Sequence, residues 1–272
     1  MNKLFINFLI FASFLISIRA NAQVGDFQFI NTMTVSEGSA FGSKNTKQNL
    51  YSFIEYGYSK KTSFGGILNA SRTDSVYNGG TTQYAIIGPE LFHRYKFFAK
   101  GKNGIVLHNS VKLPGNYDEN RNLGLMPKQW DYEVRLMFLH NFHERLVSSI
   151  VHNSTPYFVR TELAYRQRFN NPFNEVRFAF WGNFDIGEKY AILIQDNTTW
   201  NIANDGYTSN SLNNTYQNFD ITKDANNLVT TSIIYHYNKH MAFQVGYVKR
   251  ISGNNPFYDR QGVVVGIWNA LR

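Results

Sequence analysis

The 272-residue chain has no cysteine. That excludes a small secreted scaffold stapled by disulfides, and a bacterial lipoprotein, whose anchor needs a cysteine after its signal. Long apolar runs are almost as scarce. Beyond the first 22 residues none approaches the roughly 20 needed for a helical span, so membrane residence would have to be as a β-barrel. Dense charge is missing as well. The basic residues are scattered, with no cluster of the kind a nucleic-acid site shows, so the positive net charge does not point to nucleic acid.

Motifs for cofactor chemistry are also missing. Gly65-Gly66 and Gly79-Gly80 read as strand or turn glycines, because no Lys-Ser pair or helix start follows them. Among the seven histidines, His140 and His143 have helix-face spacing but fall at a strand end, and His236 and His240 straddle a turn. Neither pair makes a metal-ligand pattern, and no metal or cofactor is expected.

What is present begins with an export signal. A short basic start is followed by an apolar stretch from Leu4 to Ile18, then by Arg19-Ala20-Asn21-Ala22-Gln23. Small residues at −3 and −1 predict cleavage before Gln23. The expected organisation is a signal peptide over 1–22 and one domain over 23–272. Removing Lys3 and Arg19 leaves 25 basic against 19 acidic side chains, a net +6.

Aromatics are abundant, with 23 Phe and 17 Tyr, while mean hydropathy is only −0.34. That combination fits a barrel whose lipid-facing residues are diluted by polar ones on the other face. Period-two segments carry the pattern. In NEVRFAFWGNFDI, Val176, Phe178, Phe180, Phe184 and Ile186 oppose Glu175, Arg177, Ala179, Trp181, Asn183 and Asp185. In YFVRTELAYRQRF, Tyr157, Val159, Leu163 and Tyr165 oppose Arg160, Glu162, Arg166 and Arg168. In WDYEVRLMFLH, Tyr132, Val134, Leu136 and Phe138 oppose Asp131, Glu133 and Arg135. No helix has this spacing.

The same reading predicts twelve strands, near 27–35, 49–58, 62–72, 82–95, 104–113, 130–141, 157–169, 174–186, 189–201, 226–238, 241–252 and 261–268. Short turns at Ser59-Lys60-Lys61, Gly187-Glu188 and Asn238-Lys239-His240 suit the periplasmic side, and loops 114–129 and 202–225 suit the exterior. Connections 142–156 and 170–173 break the alternation of long and short. The segment 189–201 shows no clear lipid face, which leaves its register open. A soluble β-sandwich is the rival fold; it explains the alternation but not the rows of paired inward charges.

Several phrases then stand together: YSFIEYGYSKKTSFGG, GPELFHRYKFF, GIVLHNSVKLPG, DYEVRL, TELAYRQRF and the terminal GVVVGIW. In these the chain resembles proteobacterial outer-membrane barrels of the XagA type, associated with exopolysaccharide and biofilm, and the barrels of the phenol-degradation MetA pathway. The resemblance implies an integral outer-membrane protein with a transport or surface role, and no catalytic motif. One departure is that Trp268 is followed by Asn269-Ala270-Leu271-Arg272, where barrel assembly signals usually end on an aromatic residue.

Two pieces of candidate chemistry remain. His108-Asn109-Ser110 and His152-Asn153-Ser154 match the His-x-Ser of an outer-membrane lipid hydrolase. Such a dyad must face lipid and needs an orienting group and an oxyanion site. Here Ile105, Leu107, Val111 and Leu113 take the lipid face and turn His108, Ser110 and Lys112 inward. The second copy precedes Thr155-Pro156 in a connection.

The richer set is the inward charge. Arg94, Lys112, Arg135, Arg160, Arg166, Arg168, Arg177 and Arg250 are expected to meet Glu55, Glu90, Asp131, Glu133, Glu162, Glu175 and Asp185. One reading is a barrel filled by its own salt bridges; the other is a polar channel whose arginines select anions or acidic saccharides.

The sequence therefore predicts an all-β, antiparallel, up-and-down transmembrane barrel of about 12 strands. It is expected as a monomer in the outer membrane of a Gram-negative bacterium, and not as an enzyme. Outer-membrane lipid and a small solute or saccharide in the lumen are the expected partners, and nucleic acid is not. Small-solute transport, or a polysaccharide-linked export or surface role, is the leading function. A His-x-Ser lipid hydrolase and a structural or adhesive surface protein are the alternatives.

Overall fold

The computed structural model describes residues 27–40, 43–75, 81–117, 130–142, 158–169, 173–186, 189–203, 225–238, 240–252 and 259–271. The signal segment, His143, His152, Ser154, the Gly79-Gly80 pair, the Gly187-Glu188 turn and most of loops 114–129, 142–156 and 202–225 lie outside them.

The described residues form β1 (Phe27–Ala40), β2 (Ser43–Gly57), β3 (Thr62–Ser75), β4 (Thr81–Lys100), β5 (Asn103–Lys112), β6 (Asn116–Tyr117) and β7 (Asp131–Asn141). They continue as β8 (Phe158–Arg168), β9 (Phe173–Ile186), β10 (Tyr190–Ala203), β11 (Ala225–His236), β12 (Met241–Ser252) and β13 (Asp259–Leu271). β6 is only two residues long. It prolongs β5 beyond Leu113-Pro114-Gly115 and pairs with Ala85 and Ile86 of β4. The wall therefore has twelve long strands, each antiparallel to its neighbours; β1 pairs with β13 and β3 with β4, so the ring closes. Closure removes the unpaired edges that an open sheet would expose to lipid.

Alternation sets the two faces. Ile54, Phe64, Leu68, Leu91, Leu163, Ile233, Val245 and Val263 are exposed on the outside, as a lipid-facing belt requires. This excludes the sandwich, whose apolar face would be buried. Inward residues on β5, β7 and β8 are mostly buried in alternation, with Lys112, Arg135, Leu139 and Arg168 half-buried.

Three departures from the sequence expectation have physical causes. β1 and β2 run to Ala40 and from Ser43, well past the expected ends at 35 and 49. Their distal residues are polar on both faces (Ser36, Glu37, Thr46, Lys47), so hydrophobic alternation stops while backbone pairing continues. β4 carries a bulge where Gly88 and Pro89 together oppose Leu68. Proline is tolerated there, and a Cβ on Gly88 would fall 1.6 Å from the Leu113 carbonyl oxygen.

The third departure is the register of β10, now assigned by its pairing with β9. Ala191, Leu193, Gln195 and Asn197 share the inward face of Asp185, Asn183, Trp181 and Ala179. Ile192, Ile194, Asp196, Thr198, Trp200 and Ile202 face out. Asp196 and Thr198 interrupt the lipid row, which explains why no apolar face was legible there.

The interior is not filled by charge alone. Toward the periplasmic end, Ala191, Leu193, Ile234 and Ala242 pack with Trp181 and Trp268. Ile30, Phe53 and Phe92 pack beside them with Tyr51 and Ile67.

Candidate functional site

All fifteen predicted lumen charges face inward. Thirteen of them meet in contacts contributed by β2, β4, β5, β7, β8 and β9. Strand pairing creates the core of this network. Asp131 pairs with Arg168 and Lys112, Glu133 with Arg166 and Ser110, and Arg166 with Glu175, so opposite charges sit side by side on one face.

Glu133 is the hub. Its Oε1 accepts from Arg135 Nε at 2.9 Å, and its Oε2 accepts from Arg166 Nε at 2.8 Å and Arg177 Nη1 at 3.3 Å. Arg166 continues to Glu90 Oε2 at 3.0 Å and lies 3.6 Å from Asp131. Arg177 donates to Glu175 Oε2 at 2.5 Å, and Arg168 reaches Glu175 Oε1 at 3.0 Å. Lys112 Nζ lies 3.6 Å from Asp131. Arg135 also bonds Glu162. Arg160 Nε lies 2.6 Å from Glu162 Oε1 as an ion contact without hydrogen-bond alignment.

A second centre spans β2 to β5. Arg94 Nη1 donates to Glu55 Oε2 at 2.6 Å, Ser63 Oγ donates to Glu55 Oε1 at 2.5 Å, and Arg94 Nε donates to His108 Nδ1 at 3.1 Å. Aromatic faces complete it. Phe53, Phe92 and His108 stack in sequence at 5.4 and 5.1 Å, with the Arg94 guanidinium 4.8 Å from the Phe92 centroid. The Arg160 guanidinium likewise lies 4.2 Å from the Trp181 centroid. Neither the Glu55–Arg94 bridge across β3 nor the Phe92 stack was read from sequence. The available signal was an aromatic in an otherwise polar inward row. Asp185 and Arg250 face the lumen at the periplasmic end of β9 and the outer end of β12.

The His-x-Ser question has a structural answer for its first copy. His108 and Ser110 are 2% and 3% exposed and point into the lumen. His108 Nδ1 is taken by an arginine rather than an orienting carboxylate, and neither His108 Nε2 nor Ser110 Oγ has a hydrogen-bond partner. A nucleophile–base pair needs that mutual bond, and an acyl ester lies on the other side of the wall.

Glu90, His108 and Glu133 do bring potential ligand atoms within 4.8 Å of one another. Their charge is already matched, however, since three guanidiniums hold Glu133 and one of these also holds Glu90. A divalent cation would have to displace those arginines while sitting among them, so the cluster is a poor metal site.

The other side of the lumen wall, on β10 to β13 and β1, is largely uncharged, with Arg250 at its outer end. Its inward residues include Thr230, Ser232, Gly246, Val264, Gly266, Thr32 and Ser36. Trp268 Nε1 donates to Gln244 Oε1, and Gln244 Nε2 to Ser232 Oγ, both at 2.9 Å.

No family model matches the chain, and no curated protein matches it in sequence. Solved structures do match in fold. An outer-membrane channel from Pseudomonas putida F1 superposes with a TM-score of 0.63 at 10% identity, over 94% of this chain and 98% of that one. The KdgM porin in complex with disordered oligogalacturonate gives 0.50 at 9% identity, over 90% of this chain and 99% of that one. At such identities the likeness is one of architecture, and it agrees with the lipid belt and the closed ring: the chain folds as an outer-membrane β-barrel.

Proposed function

We propose that the barrel conducts small polar solutes, saccharides among them, across the outer membrane as a monomer. One observation carries this reading. Lumen-facing side chains stay partly solvent-accessible along the barrel: the register pair Arg177 and Thr199, then Asn197, Trp181 and Asp185 successively nearer the periplasm, with Arg135 and Tyr51 on other strands. In an inward row, accessibility reports space within the barrel rather than contact with lipid.

The resemblance of the strand phrases to exopolysaccharide-associated barrels supports a saccharide, as does the oligogalacturonate held by the KdgM porin. The signal for export before Gln23 supports delivery to the envelope. Planar-bilayer recording on the refolded mature protein tests the proposal: discrete conductance steps are expected, with swelling of glucose-loaded proteoliposomes. A sealed barrel in both assays sinks it and favours the structural or adhesive reading.

A further inference from the structure

Resting on that proposed conduction, we infer that the passage selects anions and takes hydroxyl-rich, carboxylate-bearing solutes such as acidic sugars. By count the network is nearly neutral, with seven cationic and six anionic members, and a balanced wall gives little net field. Access to the lumen is not balanced. The carboxylates of Glu55, Glu133, Asp131 and Glu162 are 0–2% exposed. The side chains of Arg177 and Arg135 are 30% and 23% exposed, and the other five cations 5–14%. The other two acids of the network, Glu90 and Glu175, reach only 10% and 12%, and the partly exposed Asp185 lies apart from it toward the periplasm.

The cause is side-chain length. Short carboxylates stay against the wall, and Arg135 and Arg177 reach inward over them. An arginine has five N–H donors in a fixed fork, so one edge can hold the buried carboxylate while the outer edge faces the lumen. A solute beside β7 to β9 therefore meets guanidinium edges suited to a carboxylate or phosphate. Beside them, on the adjacent β10, it meets neutral amides and hydroxyls, with Asn197 exposed and Gln195 and Thr199 partly so. The pairing of a cationic edge with an uncharged polar wall is the chemistry of an acidic saccharide.

The test is the reversal potential of the refolded protein in a KCl gradient, recorded for the native chain, Arg177→Gln and Arg177→Lys. Glu133 keeps Arg135 and Arg166 in these variants, and Glu175 keeps Arg168. Chloride should permeate at least about threefold better than potassium, the preference should fall in Arg177→Gln, and Arg177→Lys should retain it. Proteoliposomes should also admit glucuronate faster than glucose. Conductance without anion preference, or a preference unmoved by Arg177→Gln, overturns the selectivity and leaves conduction standing. Absence of conductance in the native chain overturns conduction itself, and selectivity with it.

Discussion

Glu133→Gln is the sharpest test of whether the charge network holds the barrel together. Glu133 is 1% exposed and accepts from three guanidiniums. At about 4 Å, with an effective dielectric near 20, each such pair contributes roughly 4 kcal/mol of gross attraction. Much of that is offset by the cost of removing four charged groups from water. Glutamine preserves the shape but reverses the balance. The attraction is lost while the desolvation of Arg135, Arg166 and Arg177 remains, and one former acceptor becomes an amide N–H aimed at another donor. Breaking a buried pair from one side costs about 3–5 kcal/mol, and that is the expected fall in unfolding free energy. Reversible urea unfolding of the refolded protein in bilayers, followed by tryptophan fluorescence, reads it directly. Glu37→Gln, exposed on the outer face, should leave the transition unchanged. A loss below about 1 kcal/mol for Glu133→Gln would mean the arginines are solvated by lumen water, and the network would then not be structural.

Other substitutions test the faces. Phe180→Arg puts a charge in the lipid row and should cost about 2–4 kcal/mol in the same unfolding assay, whereas Phe180→Leu should cost much less. Asp196→Leu should raise stability by about 1 kcal/mol, because it removes an acid from the lipid-facing row of β10; a loss would mean that the bond Asp196 accepts from the Thr198 hydroxyl at 3.4 Å outweighs that cost. Gly65→Ala places a Cβ 2.2 Å from both Phe92 Cζ and the Ile54 carbonyl oxygen, so a cost of about 1–3 kcal/mol is expected with the Phe53–Phe92 stack displaced. Ser110→Ala should leave phospholipid turnover by the refolded protein unchanged, and a drop with folding intact would revive the hydrolase reading.

The sequence showed its architecture wherever one face met lipid and the other met charge. β7, β8 and β9 were legible residue by residue, because Val134, Leu163 or Phe178 outside alternates with Glu133, Glu162 or Arg177 inside. β10 was not, because Asp196 and Thr198 occupy lipid-facing positions. Thr198 finds a partner in Asn227 Nδ2 at 3.0 Å, a cross-strand bond that periodicity cannot reveal. The inward charges were legible as a set, since alternation alone fixes their face. Their partners were legible only between adjacent strands. Glu55 and Arg94 meet across β3 through the curvature of the wall, and Arg166 reaches Glu90 past β7 and β5. The unequal exposure of acids and guanidiniums depends on how long side chains lie over short ones, so a charge count misses it.

The division of the barrel into a charged wall and a neutral one also bears on how the ring is made. β4, β5, β7, β8 and β9 follow one another along the chain, and they carry nearly all the ion pairs. The seam where the two chain ends meet, β1 against β13, lies on the opposite side. Along its lumen-facing row Ile30 pairs with Trp268, Thr32 with Gly266, Thr34 with Val264 and Ser36 with Gly262, and a charged residue enters only at the outer end, where Arg260 pairs with Gly38. Ion pairs can therefore form between sequence neighbours while the sheet is still an open, hydrated curve. The final zipping of the seam makes none of the lumen ion pairs described above, so that network does not have to wait for closure.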